Sequence, residues 1–476
     1  MSALESTRIE EDLLGQIEVP NHAYYGVQTL RALQNFKLSD VPLSHYPDFV
    51  IALAMVKQAA ADANHQLGHL SDPKHKAISY ACQCIIDGQY HEQFVVDMIQ
   101  GGAGTSTNMN INEVIANIGL EYLGHAKGDY QQLHPNNDIN MAQSTNDAYP
   151  TAIRLGLLLG HDQLLNSLER LVQAFEAKAK QFAQVLKMGR TQLQDAVPMT
   201  LGQEFKGFAT NLDEDLARLR TLVLELMCDV NLGGTAIGTG INADPSYQHL
   251  AVEALGRVSG YPIKASCDLV EATSDMGDFI LYSGMLKRTA MKLSKICNDL
   301  RLLSSGPRTG LNEINLPPRQ PGSSIMPGKV NPVIPEAVNQ VAFEIVGNDL
   351  ALTMAAEAGQ LQLNVMEPLI AYKMFESIRL LQRAMDMLRE LCIEGITANE
   401  EHCLHLVENS IGIVTALNPY IGYQNSSRIA KKALATGQSI LELVRAEGLL
   451  DEEMLADILQ PKNMIAPRAA ALKNTP

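Results

Sequence analysis

Residues 322–332 read GSSIMPGKVNP. Ser323, Ser324, Lys329 and Asn331 are crowded together there, fenced by two glycines and two prolines. A simple surface turn needs no such set. A lysine and an asparagine can hold a carboxylate, and a serine hydroxyl can donate to growing negative charge. Three other stretches have similar polar density: GGAGTSTNMNINEV (101–114), QSTNDAYP (143–150) and GRTQLQDAVPMTLGQE (189–204). Each is read as a loop just ahead of a helix. Asn331, followed by Pro332 and Pro335, suits an N-cap with proline in the first turn. Thr200 with Gln203 reads as a capping box. Taken singly, Ser, Thr and Asn at helix starts are caps. Taken together, four helix N-termini with free N–H groups and positive dipole ends suit a small anion carrying more than one carboxylate. Lys329 is the fixed cation of the 322–332 loop.

Other chemistries find less support. No Gly-x-Ser-x-Gly elbow occurs. GGAGTS lacks the Gly-Lys-Ser/Thr ending of a phosphate loop. GGTAIGTG (233–240) is glycine-rich but follows no strand pattern, against a dinucleotide fold. The 12 histidines show no HExxH or other ligand spacing, so no metal site is assigned. His134, in LHPNNDIN, is read as an exposed loop histidine.

These loops must be carried by the elements around them. Residues 151–184 repeat apolar positions at three- and four-residue spacing without a proline, and similar runs cover 203–230, 275–304, 335–357 and 368–396. Helices of that size run roughly 30–45 Å at 1.5 Å per residue. Stretches such as LRTLVLELMCDV and VIPEAVNQVAFEIVG have little polar surface, and a helix apolar most of the way round must be covered on most sides. A shared bundle in a homo-oligomer follows. The expected organisation is a mixed N-terminal domain (1–143) with a short hairpin around GQIEVP, a long-helix central domain (144–397) and a small C-terminal domain of short helices (398–476).

At 476 residues, with 46% hydrophobic and 19% charged residues, the composition is that of an ordinary soluble globular protein. The formal charge of −16 argues against nucleic acid or an anionic membrane as partner, and makes a local positive site necessary for an anionic substrate. Neither a signal peptide nor a spanning apolar run is seen. The seven cysteines fit no zinc spacing and are expected to be reduced and buried, as in a cytoplasmic protein.

GSSIMPGKVNP resembles the GSSxMPxKxN signature of the aspartase/fumarase superfamily, with every fixed position met. GAGTSTNMNINEVIAN, STNDAYPT and GRTQLQDAVPMTLGQEF match its other blocks in order, and the similarity runs from about residue 8 to 465. The resemblance implies a mainly α, three-domain fold, and a homotetramer around a twenty-helix core with active sites shared between three subunits. It also implies elimination across the C2–C3 bond of a dicarboxylate, releasing fumarate. Fumarases usually carry Gly-Arg-Thr-His, whereas Gln192 follows Thr191 here. AAEAGQLQLNVMEP (355–368) and AYYGVQT (23–29) are similar to the aspartate ammonia-lyases of the superfamily. The expectation is therefore reversible deamination of L-aspartate, a carbon–nitrogen lyase reaction, with class II fumarase as the alternative. A catalytically inactive structural relative is a further one.

The resemblance assigns Ser323 as the base. Thr105, Ser144, Thr145 and Ser324 become donors to an enediolate, and Thr191, Lys329 and Asn331 hold the α-carboxylate. Asn146 and Gln192 lie near the amino group, and Glu336, which pairs with the histidine of fumarases, would face Gln192. No cofactor is required. Divalent-metal activation, a property of some aspartases, is left open by the sequence, as is a part for His134 in a second dicarboxylate site.

Overall fold

The computed structural model describes residues 6–322, 325–326 and 328–465. The chain forms two compact units, one of Met1–Asn166, Ala217–Arg288 and Phe343–Gln382, the other of Ser167–Leu216, Thr289–Ala342 and Arg383–Pro476.

In the first unit the expected hairpin forms from β1 (Thr7–Asp12) and β2 (Gly15–Pro20), paired from Thr7↔Pro20 to Asp12↔Gly15. Its alternation turns Glu10 inward, where a carboxylate oxygen accepts from the Val27 N–H at 2.8 Å. That N–H opens α1 (Val27–Asn35), which has no side-chain cap of its own. Glu113 completes the cap, accepting from the N–H groups of Gly26, Gln28 and Thr29. Such acceptors suit the positive end of a helix. Next come α2 (Pro47–Gln66), α3 (Asp72–Ile86) and α4 (Thr105–Tyr122). α2 buries Ala52, Ala54, Ala59, Ala60 and Ala63, and among these small residues it also buries Lys57.

The first long helix, α5 (Thr145–Gln181), starts six residues before the expected 151, because it runs through Pro150. Proline removes the N–H that would bond the carbonyl four residues back. Here that carbonyl, of Asn146, accepts instead from Asn231 Nδ2 at 3.0 Å, so the helix continues. The remaining long helices match expectation within a few residues: α6 (Leu201–Met227), α9 (Gly277–Leu303), α10 (Val333–Glu357) and α11 (Glu367–Leu391). Two shorter ones, α7 (Tyr247–Ser259) and α8 (Leu269–Ser274), lie between α6 and α9. α10 keeps an apolar stripe in the open within the first unit, with Phe343, Leu350 and Met354 63%, 63% and 66% exposed and Val346 beside them.

In the second unit, 189–200 belongs to a hairpin and is not a loop, and 201–204 already open α6. β3 (Leu186–Thr191) pairs with β4 (Gln194–Thr200), with a bulge between Met188 and Arg190. Its tip is the pair Gln192–Leu193, at φ +55° and +61°. Two residues with positive φ make the tight turn whose twist matches that of the strands. The expected capping box follows: Gln203 N–H donates to Thr200 Oγ1 at 3.1 Å, and Thr200 N–H to Gln203 Oε1 at 2.9 Å. The C-terminal helices α12 (Glu400–Asn409), α13 (Val414–Thr436) and α14 (Ile440–Ala446) bury Val407, Leu417, Ile429 and Val444 in one cluster with Met188 of β3. α13 bends at Gly422, at φ +77°, so the C-terminal region is built of short pieces as expected.

Six of the seven cysteines are buried thiols; Cys267 is exposed, against the expectation that all are buried. Among the described residues no helix is long and apolar enough to cross a membrane.

Candidate active site

The first unit brings together the ends of α4 and α5. Gly102, Ala103 and Gly104 all take positive φ, and this left-handed run delivers Thr105 as the first residue of α4. A side chain at Gly104 would put its Cβ 2.5 Å from the Tyr149 ring, so the close approach requires glycine. Thr105 is exposed, and its hydroxyl donates to the Gly102 carbonyl at 2.7 Å. Ser144 caps α5: its N–H donates to Asp147 Oδ1 at 2.9 Å, and its Oγ accepts from the Asn146 N–H at 3.2 Å. Thr145 Oγ1 accepts from Asn108 Nδ2 at 3.1 Å. Asn146 Nδ2 donates to the Ala236 carbonyl at 2.8 Å, which leaves Oδ1 as that amide's acceptor.

Behind these residues lies a buried polar layer that the sequence reading missed. Asp147 is fully buried, and its Oδ2 accepts from the N–H groups of Gly233 and Thr235, each at 3.0 Å. Burial pushes its carboxyl up to about 6, while these N–H groups, that of Ser144 and the charge of Lys57 pull the other way. GGTAIGTG thus serves as a backbone clamp on the start of α5. Lys57, also fully buried, donates to Asn108 Oδ1 at 2.7 Å, Asn140 Oδ1 at 2.9 Å and Gln143 Oε1 at 2.9 Å. Burial drives it down to about 7, against the pull of Asp147 and Cys82. Its signal in the sequence is one lysine on the apolar face of AMVKQAAADA, which helical spacing alone reads as core.

The second unit holds the remaining candidates. Thr191 ends β3 and Gln192 begins the turn, both exposed at the hairpin tip. The base of the hairpin is held by buried charge: Lys187 bonds Glu204 and Glu313, and Arg190 bonds Glu313, whose side chain is fully buried. Lys329 is exposed, and Asn331 and Glu336 are half-buried. Asn331 is not itself the cap of α10. The helix begins at Val333, whose N–H donates to the Asn331 carbonyl at 2.9 Å, which puts Pro332 in the cap position. The loop is pinched at its base: a Cβ on Gly322 would lie 1.8 Å from the Lys329 carbonyl oxygen. Ser323 and Ser324 lie outside the described residues.

His134 is half-buried and not an exposed loop residue. Its Nδ1 accepts from the N–H groups of Asn136 and Asn137, so the imidazole carries its proton on Nε2. Burial lowers its pKa, against the pull of Asp138. Among the described residues no group of three or more His, Cys, Asp and Glu side chains is placed to hold a metal ion.

The comparisons with known proteins agree with one another. The family described as "Lyase" matches residues 15–347, and "Fumarase C C-terminus" matches 413–466. The aspartate ammonia-lyase of Pseudomonas aeruginosa is 77% identical over 473 residues, covering 99% of this chain and 100% of the relative. That of Escherichia coli is 55% identical over 469 residues, covering 98% of each. Among solved structures, a fumarate lyase:delta crystallin from Brucella melitensis bound to cobalt superposes with a TM-score of 0.94 at 59% identity, covering 97% of this chain and 100% of that one. Recombinant class II fumarase from Schistosoma mansoni gives a TM-score of 0.90 at 35% identity, covering 98% and 100%.

Proposed function

The chain belongs to the aspartase/fumarase superfamily, among its aspartate ammonia-lyases, and on that premise we propose that it reversibly deaminates L-aspartate to fumarate and ammonia. The observation that carries the reading is the 77% identity over 99% of the chain with the Pseudomonas aeruginosa enzyme. The likeness to the class II fumarase is far weaker, at 35%.

The reaction starts by taking a weakly acidic proton from C3, beside the β-carboxylate. The electrons pass into that carboxylate and give an enediolate with two negative oxygens. Donors fixed around those oxygens are the main catalytic term, about 3–4 kcal/mol for one such donor. We assign this part to Thr105, Ser144, Thr145 and Ser324. For Thr105 it requires a hydroxyl rotation away from the Gly102 carbonyl. Ser323 is assigned as the base, its alkoxide favoured by Lys329 and the loop N–H groups. Lys329, Asn331 and Thr191 hold the α-carboxylate. Asn146, with its N–H side committed to Ala236, offers an acceptor to the substrate ammonium.

Gln192 supports aspartate over malate. An α-ammonium leaves as neutral ammonia and needs no added proton, whereas a hydroxyl leaves as water only if an acid protonates it. Gln192 has no titratable proton, and fumarases usually carry histidine at that place. Glu336 is assigned a supporting role near it. The scheme uses a base and fixed donors and calls for no cofactor.

We further propose a cytoplasmic homotetramer that binds neither nucleic acid nor membrane. Each site would be assembled from three chains, within the three-domain organisation 1–143, 144–397 and 398–476. The test of the activity is the ultraviolet absorbance of fumarate, with L-aspartate and L-malate supplied separately. Fumarate should appear from aspartate and essentially not from malate; faster turnover of malate would overturn the reading.

A further inference from the structure

Within the first unit, a chain of buried and half-buried hydrogen bonds ends on a proposed substrate donor. Lys57 Nζ meets three side-chain carbonyl oxygens, those of Asn108, Asn140 and Gln143, at 2.7–2.9 Å. Three acceptors around one nitrogen call for three N–H bonds, the geometry of the ammonium form. The other half of each amide is committed too. Gln143 Nε2 donates to the carbonyls of Ile139 and Met141, and Asn140 Nδ2 donates to the Gln143 carbonyl. Asn108 Nδ2 donates to Asn140 Oδ1 and to Thr145 Oγ1, each at 3.1 Å.

An amide can flip, but Asn108 cannot do so here. Turning it would aim Nδ2 at the ammonium and Oδ1 at Asn140 Oδ1, donor against donor and acceptor against acceptor. Lys57 therefore fixes Asn108 as the donor to Thr145. A hydroxyl that accepts on that side keeps its own proton for another partner. We propose that Lys57 and Asn108 are positioning residues for the elimination, holding Thr145 as a hydrogen-bond donor to the enediolate. This rests on the assignment of Thr145 to the active site.

The test uses full-length oligomer and compares kcat and KM for L-aspartate in wild type, Thr145→Val, Lys57→Met, the double variant and Asn108→Asp. Thr145→Val should lower kcat tenfold or more. Lys57→Met should lower kcat by a similar factor with KM changed less than threefold. The double variant should lie within threefold of Thr145→Val alone, because both changes remove one donor. A Lys57→Met protein with wild-type kcat, or single losses that multiply in the double variant, would overturn the proposal. The multiplied case is what a merely structural lysine would give. Asn108→Asp guards against a Lys57→Met chain that does not fold. Its carboxylate still pairs with Lys57 but cannot donate to Thr145, so kcat should fall tenfold or more; an unchanged kcat overturns the proposal. Wild-type kinetics for Thr145→Val would instead show that the assignment of Thr145 is wrong, a result distinguishable from all the others.

Discussion

At the scale of single residues, the buried carboxylate of Asp147 shows how the start of α5 is held. Three backbone N–H groups, from Ser144, Gly233 and Thr235, converge on its two oxygens. Asparagine has nearly the same shape but only one acceptor oxygen, so Asp147→Asn must aim an NH2 group at one or two N–H donors. A buried donor left without a partner costs about 1–3 kcal/mol, and more when the lost acceptor was charged. Asp147→Asn should therefore lower unfolding stability by at least that much in denaturant titration, and should lower kcat because Ser144, Thr145 and Asn146 share the same turn. Unchanged stability would mean that the carboxylate does not clamp the glycine-rich segment. The polar residues of STND were legible in the sequence as a helix start with donors. Their support was not. Lys57, Asn108 and the neighbours Asn140 and Gln143 come from three separate segments, and nothing local in AMVKQAAADA says which oxygens its lysine will meet.

At the scale of elements, the long helices were readable because their apolar period is long and repeated. The errors lie where a single contact overrides the local rule. Pro150 reads as a helix stop, yet Asn231 takes the orphaned carbonyl of Asn146 and the helix runs on. GRTQLQDAVPMT reads as a loop, since polar residues and a proline dilute its strand signal, and a turn of Gln192–Leu193 lacks the usual glycine. The pairing of β3 with β4 fixes it, with Met188 anchored in the C-terminal cluster. On α10, the pattern said that the helix is apolar on more than one face, and the structure leaves Phe343, Val346, Leu350 and Met354 as an open stripe. Such a stripe at helical spacing suits a neighbouring helix. Leu350→Glu would place a charge there, and an unpaired buried charge costs several kcal/mol. Light scattering after size exclusion should show wild type as a tetramer and Leu350→Glu as a smaller species, with helical circular dichroism retained. A variant that stays tetrameric would remove α10 from the interface.

At the scale of the whole molecule, the active site is proposed to be a property of the assembly. Thr105 with Ser144–Asn146 belong to one compact unit, and Thr191, Gln192, Lys329 and Asn331 to the other. The helices carrying them are long and apolar on several faces, so copies of the chain are expected to cover one another. Packing them against copies of themselves brings ends of different chains together. On the proposed arrangement, Thr105 with Ser144–Asn146, Thr191 with Gln192, and the 322–332 loop reach each site from three different chains. Ser323→Ala and Thr191→Ala should then each be nearly inactive alone, and yet complement one another. In a 1:1 mixture that is denatured and refolded together, the loop of a given site comes from a Ser323-bearing chain half the time. Its hairpin tip comes from a Thr191-bearing chain half the time, independently. About a quarter of the sites should therefore be fully wild type in a randomly reassorted symmetric oligomer. The measurement is fumarate formation from L-aspartate by the co-refolded mixture, against each variant refolded alone, with mixed tetramers confirmed by mass. If both residues came from one chain, no site in the mixture could hold both, and activity would stay at the average of the two variants.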